Sequence, residues 1–252
     1  MTTWAELRDG RVAHADAAML VLDKPAGWSV TGERHDTDLV RVAREAGEEL
    51  WPAHRIDKVT SGLVVFGRTL AAQGDLTRQW ALRTVDKTYL ALTATTGLPD
   101  RGVVELPLSV GRKNRVRIAA ARDAIVRDGD TWAAPAAAVL DGVSTYPSTT
   151  TFERLAVDDT HTLLAVTPTT GRRHQIRVHL AWIGHPIVGD PLFDRHATTR
   201  VGLHAWRLAL DAVGAPDGRR LALEAPPPPD FRALSSLAAE ADPAGARGET
   251  SR

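Results

Sequence analysis

HRIDKVTSGLVVF, residues 54–66, sets one carboxylate, Asp57, in a short polar turn just ahead of an apolar run. Residues 63–67 have strand character, so Asp57 is expected where a strand begins, a natural seat for a reacting group. More than a hundred residues later, GRRHQIRVHLAWIGHPIVGD at 171–190 supplies a cluster of cations with which that carboxylate can pair. Residues 173–183 read as a helix with Ile176, Leu180 and Ile183 on one face and Gly184 as its stop. That reading puts Arg173 and Arg177 one turn apart on another face.

Outward from these blocks, strands and helices interleave irregularly, without a regular βαβ repeat. MLVLD at 19–23 is a short strand followed by the loop KPAGWS, and DLVRVAREAGEEL at 38–50 carries helical spacing through Leu39, Val42, Ala43 and Ala46. Leu76 and Trp80, four apart, predict a helix over 69–83, and KTYLALTA then alternates as a strand does. GRKNRVRIAA at 111–120 is basic. Residues 122–142 read as a flexible or inserted loop, and TTTFERLAV resumes alternation. PPPPDF closes the folded part. The polar, Gly- and Pro-containing end that follows is expected to be disordered.

Composition excludes several classes. The chain has 252 residues, 43% of them hydrophobic, enough for a substantial core. Lys plus Arg number 31 and Asp plus Glu 31, so any contact with nucleic acid must come from a local patch rather than a global charge. With no cysteine there is no disulfide, thiolate metal site or Cys nucleophile. His174 and His179, five apart, are poor co-ligands for zinc, and no metal site is expected. No phosphate loop or GxGxxG is present, and GWSVTG at 27–32 misses the GxSxG elbow by one residue. The N-terminus lacks the apolar core of a signal peptide and TWAAPAAAVL is too short to span a bilayer, so the expected location is cytoplasmic.

The two long blocks, together with VLDKPAGWSV at 21–30, DKTYLAL at 86–92 and GLHAWRLAL at 202–210, resemble in the same order the pseudouridine synthases of the RluA type. The HQIRVH form of the second block separates them from the RsuA type. The resemblance implies an α+β fold: a mixed, largely antiparallel sheet with a central catalytic cleft and outer helices. It also implies a domain division into an N-terminal extension at 1–18, a catalytic domain at 19–230 without an S4 module, and a disordered tail at 231–252. The implied activity is isomerisation of specific uridines in structured ribosomal or transfer RNA. The C1′–N1 bond breaks, the base turns, and C1′ joins C5. Nothing is gained or lost, so no cofactor is needed, and no obligatory protein partner or oligomer is expected beyond a monomer. The alternative from another class is a catalytically idle relative that binds structured RNA or acts in ribosome assembly. A glycosidase would need a second paired carboxylate, which no motif supplies.

By the same resemblance Asp57 is the essential catalytic residue, as nucleophile or as base toward the ribose. Arg177 is the cation that salt-bridges it, holding the carboxylate charged when RNA shuts out water. Tyr89 packs its ring against the target base and its hydroxyl assists proton transfer from C5. Arg55 holds the target base out of its helix, Leu203 lines an apolar pocket, and GHPIVGDPLF at 184–193 is scaffold. Beyond the resemblance, Arg173 and His174 are candidates for phosphate contact, as is Arg172, against a bland reading as a solvated helix face. Arg112, Lys113, Arg115 and Arg117 are candidate contacts to the RNA backbone, with a solvated strand face as the alternative.

Overall fold

The computed structural model describes residues 2–32, 37–111, 115–214 and 218–241. Its spine is the strand Ser61–Gly67, SGLVVFG, every residue of which is buried. A strand sends successive side chains to opposite faces, so burial throughout requires cover on both sides. Val64 and Phe66 join Leu20 and Leu22 beneath the helices Trp4–Arg8 and Leu39–Glu45, through Trp4, Leu7, Leu39, Val40 and Ala43. On the opposite face Leu63 and Val65 join Met19 and Val21 beneath the helix Leu70–Leu82, through Leu76 and Trp80. Fully burying side chains of this size stabilises by about 1.5–3 kcal/mol each. Emptying the Phe66 site with alanine would cost roughly 3–5 kcal/mol.

Among the described residues twelve strands form one sheet around this spine. Met19–Lys24 pairs antiparallel with Ser61–Gly67, and Leu203–Asp211 pairs parallel to it at His204 and Ala205. Asp86–Thr93 then pairs antiparallel with Leu203–Asp211, followed by Thr162–Pro168, Thr149–Val157 and Arg101–Glu105. A mixed, largely antiparallel sheet with outer helices is therefore observed, as expected. A smaller sheet of Thr145–Tyr146, Leu108–Val110 and Val116–Ile118 stands beside it. Leu108 and Ile118 of that sheet share a core with Ile176, Val178 and Leu180 of the helix Gln175–Trp182.

The expected boundaries need correction. Residues 2–18 are packed into the fold, because Trp4 and Leu7 are core side chains and Val12–Ala15 pairs with Met19–Lys24. At the other end Phe231 and Ala238 are fully buried, and Leu234 and Leu237 pack with them against Leu90, Leu92 and Trp206. The folded chain thus continues to 241, and the remainder of the expected tail, 242–252, lies outside the described residues. Residues 122–142 are not a bare loop. Thr131–Ala133 adds parallel to Arg101–Glu105, Val126–Asp128 adds to it in turn, and Trp132 is buried against Phe152. Three-residue strands are too short for sequence alternation to register. No helix among the described residues is long and apolar enough to cross a membrane.

Candidate active site

Asp57 stands in a turn closed by a hydrogen bond from Thr60 N to its own carbonyl at 3.0 Å, immediately before Ser61–Gly67. Its neighbours fix the turn. Ile56 is plugged into the core. The His54 ring stacks on Trp80 with centroids 4.4 Å apart, and its Nε2 accepts from Val65 N at 3.1 Å. That bond needs a bare ring nitrogen, in keeping with burial pushing His54 down to about 3. From the other side Lys24, fully buried, donates from Nζ to the carbonyls of Trp28 at 2.7 Å, Pro25 at 3.0 Å and Lys58 at 3.3 Å. Gly27 N also reaches the Lys58 carbonyl at 2.8 Å. The KPAG loop and the Asp57 turn are therefore tied together.

The helix Gln175–Trp182 brings Arg177 to the same place. It is buried from Gln175 to Ala181, with two turns of mostly apolar surface facing packed neighbours. Arg177 Nη1 donates to Asp57 Oδ2 at 2.8 Å, while Nε and Nη2 donate to the two oxygens of Asp190 at 2.8 and 2.6 Å. Burial works against the guanidinium's charge, but the bonds and charge of Asp190, then those of Asp57, outweigh it and hold Arg177 above its ordinary value. The helix starts later than its spacing predicts. His174 sits in the left-handed region at φ 56°, so Arg173 precedes the helix and is not stacked one turn from Arg177. The same bend carries His174 Nε2 to 3.8 Å from Asp57, with burial lowering its pKa.

Asp57 and Arg177 share a cleft of about 510 Å³ whose lining includes Arg55, Lys58, Lys87, Tyr89, Arg172, Arg173, His174 and Leu203. Asp57 is the one carboxylate among the described lining residues. In a chain with equal numbers of acidic and basic side chains, this is a local basic patch, of the kind that contact with nucleic acid requires. Tyr89 is partly buried, and that burial, then the negative charge of Asp57, pushes its hydroxyl up so that it stays protonated. The structure thus gathers Asp57, Arg177, Tyr89, Arg55, Leu203, Arg173 and His174. It leaves Arg115 and Arg117 out of the lining, exposed on or beside the small sheet, where Arg117 Nε bonds Ser109 Oγ at 3.4 Å. Arg112 and Lys113 lie outside the described residues.

Sequence reading missed two groups. Asp190, expected as scaffold, is buried and holds Arg177 from behind. Its preceding Gly189 has φ +70°, and a Cβ there would collide with the Arg200 carbonyl, which makes the turn look purely conformational. Lys87 lies two residues before Tyr89 in the strand Asp86–Thr93, and both line the cleft. The period of two was the available signal. Burial, then the charge of Arg83, lowers its pKa.

Comparison with known proteins agrees with this geometry. The family model described as RNA pseudouridylate synthase matches residues 18–182. "Ribosomal large subunit pseudouridine synthase D" of Nitrosomonas europaea is 35% identical over 243 residues, covering 89% of this chain. This chain spans only 64% of that relative's length. "Dual-specificity RNA pseudouridine synthase RluA" of Pasteurella multocida is 34% identical over 206 residues, covering 79% of this chain and 85% of the relative. Among solved structures, human RNA Pseudouridylate Synthase Domain Containing 4 superposes with a TM-score of 0.71 at 25% identity, covering 90% of this chain and 92% of the other. With the match spanning both the Asp57 turn and the Arg177 helix, the chain belongs to the RNA pseudouridylate synthase family, in its RluA-type branch.

Proposed function

We propose that the cleft isomerises uridine in ribosomal or transfer RNA to pseudouridine, with Asp57 as the catalytic carboxylate. The observation that carries this reading is the 2.8 Å pair of Asp57 with the buried Arg177, inside a cleft whose other charged lining residues are basic. A flipped uridine entering it would exclude water from Asp57. The charge-assisted bond from Arg177 then holds the carboxylate in place. So held, Asp57 serves the reaction either as nucleophile or as base toward the ribose.

The other roles follow from position. Tyr89 presents a neutral hydroxyl, able to donate or relay a proton during C5 deprotonation but not to act as a phenolate. Leu203 provides an apolar wall for the base. Arg55 is exposed and planar, suited to fill the gap that the flipped base leaves. Lys87, Arg172, Arg173 and His174 meet the flanking phosphates. The enzyme is proposed to work in the cytoplasm as a monomer, without cofactor or obligatory protein partner. The name of the Nitrosomonas europaea relative, a ribosomal large subunit pseudouridine synthase, makes large-subunit ribosomal RNA the first place to look.

Pseudouridine mapping of ribosomal and transfer RNA from a deletion strain, complemented with wild type or with Asp57→Ala, tests this. Loss of defined sites restored by wild type alone is the expected result. Restoration by Asp57→Ala would leave the protein as a structured-RNA binder.

A further inference from the structure

The chain has two tyrosines, and only Tyr89 lies within the cleft. The other, Tyr146, is 37% exposed, and its ring lies 5.2 Å from the guanidinium carbon of Arg172, which lines the cleft. A guanidinium thus lies over one face of a partly exposed aromatic ring at the cleft's edge.

The backbone of each member is held in place independently of their contact. Thr145–Tyr146 pairs antiparallel with Leu108–Ser109, and Ser148 Oγ donates to the Tyr146 carbonyl at 2.9 Å. The buried Gln175 links this stretch to the Arg172 loop. Its Oε1 accepts from Arg172 N at 3.1 Å and Thr170 Oγ at 2.6 Å, and its Nε2 donates to Thr149 O at 2.9 Å and Thr150 Oγ at 3.0 Å. An exposed ring–guanidinium contact adds little to folding, and strand pairing with Gln175 already fixes this edge. What the pair adds is an exposed aromatic surface, backed by Arg172 and carried on backbone already fixed before anything binds.

Resting on the pseudouridine synthase reading, we propose that Tyr146 with Arg172 is a stacking platform for an unpaired base flanking the target uridine. Such stacking tolerates any base, because every base has a π-face. The platform therefore adds affinity without reading sequence. It also demands RNA that is splayed open beside the target, which favours uridines in loops over those inside continuous helices.

The test uses the full chain and [5-³H]uridine transcripts of large-subunit ribosomal RNA and of a complete tRNA set, with tritium release as readout. Tyr146→Ala and Tyr146→Leu should each raise KM roughly tenfold, the size expected for one lost base–aromatic stack, with single-turnover rates at saturating RNA within about twofold of wild type. Tyr146→Phe, which keeps the ring, should restore the low KM. Because no charge is removed, the salt dependence of KM should be unchanged in the Tyr146 variants and shallower in Arg172→Ala. An unchanged KM in Tyr146→Ala, or a Leu variant as good as Phe, overturns the platform while wild-type activity keeps the enzyme reading. A wild-type chain inactive on both transcript sets overturns both.

Discussion

Asp190 takes two hydrogen bonds from Arg177, at 2.8 and 2.6 Å, where Asp57 takes one at 2.8 Å. The guanidinium is thus anchored from the buried side, its Asp190 partner only 1% exposed, and offers its remaining edge to the cleft. Two-point contact fixes the plane of the guanidinium, and that plane sets where the Asp57 carboxylate is held. Asp190 is accordingly a positioning residue. It does not line the cleft, yet it orients the guanidinium that holds Asp57 there.

Removing Asp190 should damage stability and activity together. Asp190→Ala leaves a buried guanidinium with half its partners, and breaking such a pair costs about 3 kcal/mol or more, measurable by urea denaturation. Asp190→Asn keeps the shape and one acceptor but loses the charge. Its turnover should fall on the order of 10²-fold through misplacement of the Asp57–Arg177 pair. Wild-type turnover in Asp190→Asn would show that Arg177 needs no support from behind.

Asp57→Ala should behave in the opposite way. The side chain is partly exposed, 21%, and Arg177 keeps both bonds to Asp190 without it. Stability should stay within about 1 kcal/mol of wild type. Tritium release should fall by at least about 10³-fold, as for loss of a catalytic nucleophile or base. A large loss of stability in Asp57→Ala would instead assign the residue to holding the fold.

The elements that could be read from sequence are those long enough for their period to register. SGLVVFG, KTYLALT and TTTFERLAV appear as strands close to the expected bounds, and Leu76 and Trp80 mark a helix that runs from Leu70 to Leu82. Pairing was not legible. That Tyr89 lies opposite both Ala205 and Val166 is set by contacts far apart in the chain. Roles in the site came from resemblance, since an Asp in a turn and an Arg on a helix are each common. Where local spacing alone was used it failed at Arg173, because the left-handed His174 breaks the helix before it. Asp190 was hidden by glycine and proline neighbours whose conformational demand explained the stretch too well.

Gly62 offers a test of the spine itself. It has φ +108° and faces Ala205 where Leu203–Asp211 runs parallel to Ser61–Gly67, and a Cβ there would strike the backbone of Ala205. Neither strand can yield without disturbing Ser61, whose Oγ bonds His204 Nδ1 at 2.7 Å and receives Arg200 Nη2 at 2.8 Å. Gly62→Ala should therefore cost upwards of about 4 kcal/mol and release the Asp57 turn from its seat. A soluble variant melting near wild type would mean that the strands separate more readily than this packing allows.

Besides His54, two buried histidines contribute to a lower limit of pH for the fold. His179 gives its Nε2 proton to Leu106 O at 3.0 Å and His204 gives its own to Ala225 O at 2.9 Å, while His204 Nδ1 is the acceptor for Ser61. Burial, only partly offset by these carbonyls, pushes each down to about 4. An unfolded histidine titrates near 6.5, so between roughly 6.5 and 4 the unfolded chain binds protons that the folded chain refuses. Stability due to the neutral rings is thus complete above about pH 6.5 and is lost as the pH falls toward 4, by about 3 kcal/mol for each ring. Urea denaturation at pH 7.5, 6, 5 and 4.5 should show this fall. His179→Gln, which keeps a donor for Leu106 and cannot titrate, should lower stability at pH 7.5 yet flatten the slope below 6.5. An equally steep slope in that variant would rule out His179 as its source.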